Sequence, residues 1–354
     1  KIAILKLVFL LIVLIGTIAA YFVFTYEKTE DPAESISTAT LPVITMKYRE
    51  QNINVLNGYT NEMQGKYMRQ ALTPYGEDGT VTLDIERYAN VIAAISYQVR
   101  SVDTERLIDS EEIKEWTTDG EDIYVTLNMS NIMKEDTEYL LIINLVTETH
   151  GNVYYYVHLK NPSGQDIEKQ LEFVYDFSRL TISKEVTEKY GAYLEYDPST
   201  DSSNLANVNI KSSYDNIQWG DLKVTRATDP VVTIKEILGN IGCYELQYKV
   251  KAQDEYGTEE YYNVTEYFRL RTVSSGMYLD VYERKANQIF NPNTQSVSST
   301  RINLGLDDDL KIHYKTSPTG SYVSFVKEGS LFMLDMEENK VTELFSFEKL
   351  TEED

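Results

Sequence analysis

One cysteine and three histidines are all that 354 residues offer of the side chains that most often carry redox, metal or nucleophilic chemistry. With Cys243 alone, no internal disulfide can form. That suits an oxidising eukaryotic secretory route poorly and fits a Gram-positive or anaerobic bacterial surface better. Cys243 opens a strand-like run whose alternation sets Tyr244, Leu246, Tyr248 and Val250 on one apolar face, and no histidine lies near it in sequence. It reads as a semi-buried structural thiol. His150, His158 and His313 are scattered, with no second histidine or cysteine at metal-ligand spacing, so no zinc site is expected. Nucleophile elbow, Walker loop, dinucleotide fingerprint and His-Glu-x-x-His helix are all missing. No cofactor is expected and no catalytic residue can be named. A pair of carboxylates would say little, because 56 acidic residues always furnish some pair.

Basic residues are also scarce. Lysine and arginine number 33 against those 56 acids, for a net charge of −23. Such a body repels nucleic acid and anionic lipid headgroups, so no nucleic-acid partner is expected. The acids cluster at Asp197 with Asp201 and at Asp307, Asp308 and Asp309, the latter three being calcium candidates. Neither cluster follows the spacing of an EF-hand loop, and solvated loop acids are the plainer reading.

What is present in excess is apolar sequence at the start and tyrosine throughout. From Leu7 to Phe24 only Gly16, Thr17 and Tyr21 interrupt an apolar run, which is about the length a helix needs to cross a hydrocarbon core. Lys1 and Lys6 precede it and Glu27–Asp31 follows it. The positive-inside rule therefore puts the amino terminus in the cytoplasm and the body outside. Residues 2–24 are expected to engage the lipid bilayer as an uncleaved anchor in the plasma membrane; a cleaved signal peptide is the rival reading. Residues 27–40 are polar and aperiodic and read as a flexible acidic stalk.

Beyond Leu41, short runs rich in Val, Ile, Thr and Tyr alternate with turn residues. This texture predicts an all-β body. Tyr139–Val146 and Val153–Leu159 flank a glycine-bearing loop as one hairpin, and Cys243–Ala252 and Glu260–Arg271 form a second. Asn161–Gly164 is a turn cluster and a domain boundary. The reading is an anchor over 1–26, a stalk over 27–40, and two tandem Ig-like β-sandwich domains over 41–160 and 165–273. A β-meander follows over 276–354. Asp103–Trp116 is the most helix-compatible stretch of the first domain. In the second, a short helix near Gln170–Tyr175 gives way to strand character from Phe177 to Val186.

The 28 tyrosines supply the candidate binding residues. Tyr154 and Tyr156 share one face of a strand while Tyr155 takes the other. Tyr261 and Tyr262 sit together in a second strand. Exposed rings can stack on sugars or dock a protein; cross-strand packing is the plainer role.

Tyr322–Val326, the turn at Glu328–Gly329, Ser330–Asp335, the charged turn Glu337–Asn339 and Lys340–Phe345 follow one another as strand, turn, strand, turn, strand. Residues 322–345 resemble one blade of a TolB-like β-propeller. The resemblance covers under a tenth of the chain and implies several further blades, which residues 276–354 cannot supply. The functional expectation is a membrane-anchored, extracytoplasmic, non-enzymatic binding or scaffolding module at a bacterial cell surface, with a protein or glycan partner. The alternative is an envelope enzyme or glycan-binding protein whose active region lies in a propeller beyond residue 354.

Overall fold

The computed structural model describes residues 41–346 apart from 50, 76–78, 130–133, 135, 163–165, 201–204, 254–256, 258, 292–296, 299–300, 306–311 and 328. The expected membrane span, the stalk and the Asp307–Asp309 cluster lie outside the described residues. No helix among the described residues is long and apolar enough to cross a membrane.

Among the described residues, 55% lie in strands and 12% in helices. The first ten strands are β1 (Val43–Tyr48), β2 (Gln51–Leu56), β3 (Leu72–Pro74), β4 (Thr80–Glu86), β5 (Ile92–Ser101), β6 (Leu107–Ile113), β7 (Thr117–Asp119), β8 (Asp122–Asn128), β9 (Glu138–Thr147) and β10 (Gly151–Lys160). Next come helices α1 (Ile167–Ser183) and α2 (Val186–Tyr190), strand β11 (Asn207–Asn209) and helix α3 (Tyr214–Ile217). Strands β12 (Thr225–Arg226), β13 (Val231–Leu238), β14 (Ile241–Gln253), β15 (Glu259–Val273) and β16 (Gly276–Gln288) complete the main body. A short pair, β17 (Val297–Ser298) and β18 (Arg301–Ile302), leads to β19 (Tyr314–Thr316), β20 (Tyr322–Lys327), β21 (Ser330–Asp335) and β22 (Lys340–Ser346).

Alternation explains the layers. In β4, Val81, Leu83 and Ile85 are buried while Thr80, Thr82 and Asp84 are half-exposed, and β1 and β8 repeat the pattern. These faces share one core with Ile95, Tyr97 and Val99 of β5, Leu141, Ile143 and Leu145 of β9, and Val153, Tyr155 and Val157 of β10. The second group belongs to a five-stranded sheet in the order β3-β10-β9-β5-β6. Two sheets thus enclose the core of the first half, each fully buried side chain contributing about 1.5–3 kcal/mol.

The other sheet does not stop at the expected boundary near residues 161–164. Its order is β11-β16-β15-β14-β13-β2-β1-β4-β8-β7, with β12 on β14, so strands from both halves share it. The junction is the parallel contact of β13 with β2, at Val232 and Ile53. Asn54 secures it. The β1–β2 register slips between Thr45 and Met46, which leaves Asn54 as the extra residue of a bulge with φ 50°. Asparagine tolerates that left-handed conformation better than most residues. Its buried amide donates to the Leu72 carbonyl and to Thr73 Oγ1, each at 2.9 Å, and accepts from Ile234 N at 2.7 Å. One side chain therefore ties β2, β3 and β13 together.

Residues 165–273 do not build the expected second sandwich. They give their strands to the shared sheet and lay α1 on its face. Ile167, Leu171, Val174 and Phe177 are buried at helical spacing. Asp166 caps the start by accepting from Lys169 N at 3.1 Å, and Lys184 closes the end in a left-handed conformation. The strand character expected from Phe177 onward is thus overturned as far as Ser183, because Phe177 packs on Phe173, Tyr190, Phe268 and Tyr282 only as part of this helical face. Asp103–Trp116, read as helix-compatible, instead holds the edge strand β6, which pairs with β5 from Ile95 opposite Ile113 to Arg100 opposite Leu107. Residues 276–288 belong to the shared sheet as β16, and the separate four-stranded meander begins only at β19.

Candidate functional site

The outward face of the five-stranded sheet is organised in rows that cross its strands. Ser96, Asn144 and Tyr154 are register partners on β5, β9 and β10; Gln98, Ile142 and Tyr156 form the next row, and Arg100, Leu140 and His158 the third. Because strand neighbours point to opposite faces, Tyr155 lies fully buried in the main core, donating its hydroxyl to the Pro42 carbonyl at 2.5 Å.

The chain between β2 and β3 crosses this face. Tyr59 and Tyr154 exchange backbone hydrogen bonds at 2.9 and 2.8 Å. The Tyr59 ring meets Tyr156 edge-on at 6.0 Å, and Tyr156 Oη accepts from Met63 N at 2.7 Å. Gly65 sits so close to Leu140 that a Cβ there would approach its side chain to 2.2 Å. Met68, Leu140, Ile142 and Tyr156 form a small core beneath the crossing segment. Tyr156 is consequently buried, whereas Tyr154 is half-exposed.

Two polar features flank the covered tyrosine. At the Tyr154 end, Tyr154, Asn144, Ser96, Tyr97, Gln98 and Ile142 line a hollow of about 160 Å³ together with Glu62 of the crossing segment. Asn144 Nδ2 donates to Asn152 Oδ1 at 3.2 Å, which leaves Asn144 Oδ1, a buried acceptor, without a partner. At the other end His158, 1% exposed, stands 2.6 Å through Nδ1 from Glu138 Oε1. The same carboxylate oxygen accepts from Arg69 Nε at 2.9 Å, and Arg69 Nη2 reaches Glu236 Oε1 at 3.5 Å. Bonds from His158 and Arg69 outweigh the cost of burial and hold the Glu138 carboxyl down at about 2. A charged Glu138 sets the His158 proton on Nδ1, and Nε2 is left as a buried atom with no partner.

Of the residues singled out in the sequence, Tyr154 and Tyr156 share this face, but only Tyr154 lines the hollow. Tyr261 and Tyr262 lie elsewhere, on β15, with their hydroxyls near Glu259 and Glu260. Asp197 spends one carboxylate oxygen on Ser199 N and Oγ, at 2.9 and 2.7 Å, within its own turn. Among the described residues no group of three or more His, Cys, Asp or Glu side chains is placed to hold a metal ion. The Glu138–His158 pair escapes a reading of each histidine singly, because the two meet diagonally across β9 and β10, with His158 opposite Leu140 and Glu138 opposite Lys160. Ser96, Gln98 and Asn144 carry no local signal at all, because the hollow exists only once three strands are aligned. No protein-family model and no curated protein matches the chain.

Proposed function

We propose that this chain is a membrane-tethered, extracytoplasmic binding module of a bacterial cell surface, non-enzymatic, whose hollow at Tyr154 receives a neutral, hydroxyl-rich ligand the size of one sugar ring. The observation that carries the reading is the lining: an aromatic ring, two amides and a hydroxyl beside Glu62 and Ile142, with the Asn144 Oδ1 acceptor unpartnered. Amides and hydroxyls offer donors and acceptors side by side, as sugar hydroxyls require, and a half-exposed tyrosine ring offers a stacking face. A volume of about 160 Å³ lies below that of pockets that enclose drug-sized molecules and suits one ring of a larger glycan. The apolar segment 2–24 supports the tether, and the acidic body supports placement away from nucleic acid and anionic headgroups.

In the finer architecture that we favour, the first half is an Ig-like sandwich and β19–β22 a propeller blade of the TolB-like kind. The alternative, an envelope enzyme or glycan-binding protein acting through a propeller, draws its support from that meander, which has a small core of its own in Phe290, Phe325, Phe332, Leu334 and Val341.

The test is titration of the full chain in lipid nanodiscs with N-acetylglucosamine, glucose and short oligosaccharides of each, monitored by calorimetry. Saturable binding that weakens at least tenfold in Tyr154→Ala and in Asn144→Leu is the expected result. Binding that ignores both substitutions would move the site elsewhere and sink this assignment.

A further inference from the structure

Strand β6 ends the five-stranded sheet on one side, and among the described residues no strand lies beyond it. It pairs with β5 alone, and that pairing slips between Val99 and Arg100, so the regular run of β6 is residues 109–113. Along such an edge, alternate residues turn their N–H and C=O groups away from the neighbouring strand. That unpaired row is a template for one more strand.

The side chains of this run are acidic. Asp109 and Glu111 stand on the side of their register partners Val99 and Tyr97, while Ser110 and Glu112 stand on the outward face opposite Gln98 and Ser96. Ser110, Glu111 and Glu112 are exposed and Asp109 is half-exposed. Tyr97 Oη lies 3.2 Å from Asp109 Oδ2 and 3.3 Å from Glu111 Oε2. A hydroxyl has one proton to give, so it serves only one of these two carboxylates at a time. The strand itself holds no lysine or arginine. Among the described residues, none of its three acids is in an ion pair, and the flanking Arg106 and Lys114 reach none of them.

This unpaired charge decides which strand the edge can take. A second copy laid on β6 would bring the acids of both copies into one seam, where like charges destabilise, and a net charge of −23 on each chain adds to the repulsion. An apolar strand would gain the backbone bonds but would take solvent from carboxylates without pairing them. A basic strand satisfies both the backbone row and the charge. We propose that β6 is a docking edge for an extended basic segment of a partner protein, which joins the sheet as a further strand with lysine or arginine side chains beside Asp109, Glu111 and Glu112. Backbone bonds supply the hold and charge the selection. The edge is separate from the Tyr154 hollow, and the proposal does not rest on what that hollow binds.

The test uses the full chain in phosphatidylcholine nanodiscs, which carry no net charge to attract the probe. The probe is a fluorescein-labelled heptapeptide of alternating lysine and valine, followed by anisotropy. Saturable binding is expected. An added strand pairs through one of its two edges, so of two further peptides, N-methylated at every lysine or at every valine, at least one should bind tenfold or more weakly. Asp109→Asn with Glu111→Gln and Glu112→Gln should weaken the parent peptide at least tenfold. Glu188→Gln with Glu337→Gln and Glu338→Gln, which removes as much charge from exposed positions elsewhere, should leave it unchanged. Melting curves identify any variant that has lost its fold, and the N-methylated peptides then decide on the unaltered chain. Absence of saturable binding, full binding of both N-methylated peptides, or equal weakening by the two sets of substitutions would overturn the proposal.

Discussion

Glu138 sits opposite Lys160, beyond the row of His158 on the outward face, where two donors from different parts of the chain meet one carboxylate oxygen. Its ordinary value of 4.5 falls to about 2 in the folded chain, the bond from His158 being the largest cause. A carboxyl held lower in the folded state than in the unfolded one binds protons more readily after unfolding. The stability it adds is therefore complete above about pH 4.5 and is lost as pH falls toward about 2. Asp176 behaves alike: against the opposing effect of burial, bonds from Lys189, Arg179 and Tyr190 hold it near 2 as well. Denaturation curves taken between pH 6 and pH 2 should show stability falling across this window. Glu138→Gln should remove about 1–3 kcal/mol at pH 6 and flatten part of the slope, with the share due to Asp176 left in place. An unchanged slope would mean that the Glu138 carboxyl is no better bonded in the folded chain than in water.

At the scale of elements, the hairpins were legible and the helix only in part: Gln170–Tyr175 reads as helix, but its continuation to Ser183 does not. Tyr139–Val146 with Val153–Leu159, and Cys243–Ala252 with Glu260–Arg271, fall within β9–β10 and β14–β15, because alternation and a turn are local signals. Strands β20, β21 and β22 match their expected limits almost residue for residue for the same reason. Helix α1 carries Phe, Val, Tyr, Thr and Ile, residues at home in strands. Its burial at Ile167, Leu171, Val174 and Phe177 becomes decisive only when a sheet face is there to receive it. The edge strand β6 misled in the opposite sense. Its polar side chains look helix-compatible, yet an edge strand with solvent on one side needs little apolar sequence. If α1 is held chiefly by packing, Phe177→Ala should cost about 3–5 kcal/mol in chemical denaturation, the range for removing a buried ring. Exposed Glu172 on the same helix should tolerate alanine within about 0.5 kcal/mol. Equal effects at the two positions would mean that helical propensity, not the aromatic cluster, holds α1.

For the molecule as a whole, the sheet that runs through both halves decides where the chain can be cut. Sequence texture places a boundary near residue 273, after the second hairpin. The structure pairs β16 with β15 along its length, from Tyr262 opposite Gln288 to Val273 opposite Gly276. It also builds Leu279, Tyr282 and Ala286 into the main core and places Arg284 against the carboxyl-terminal end of α3. A chain of residues 41–273 would lose those side chains, strip the pairing from β11 and expose β15 as a long, apolar-backed edge, an invitation to aggregation. A chain of residues 41–291 keeps them and omits only the segment that carries β17–β22. The two halves share a sheet seam at Asn54 and one continuous core, so their unfolding should be coupled. The expected outcome is a single cooperative melt with coincident circular dichroism and tryptophan transitions for 41–291, and aggregation or a broad, non-cooperative melt for 41–273. Two separated transitions in 41–291 would show that the β2–β13 junction does not couple the halves. A well-behaved 41–273 would show that β16 is dispensable to the sheet it completes.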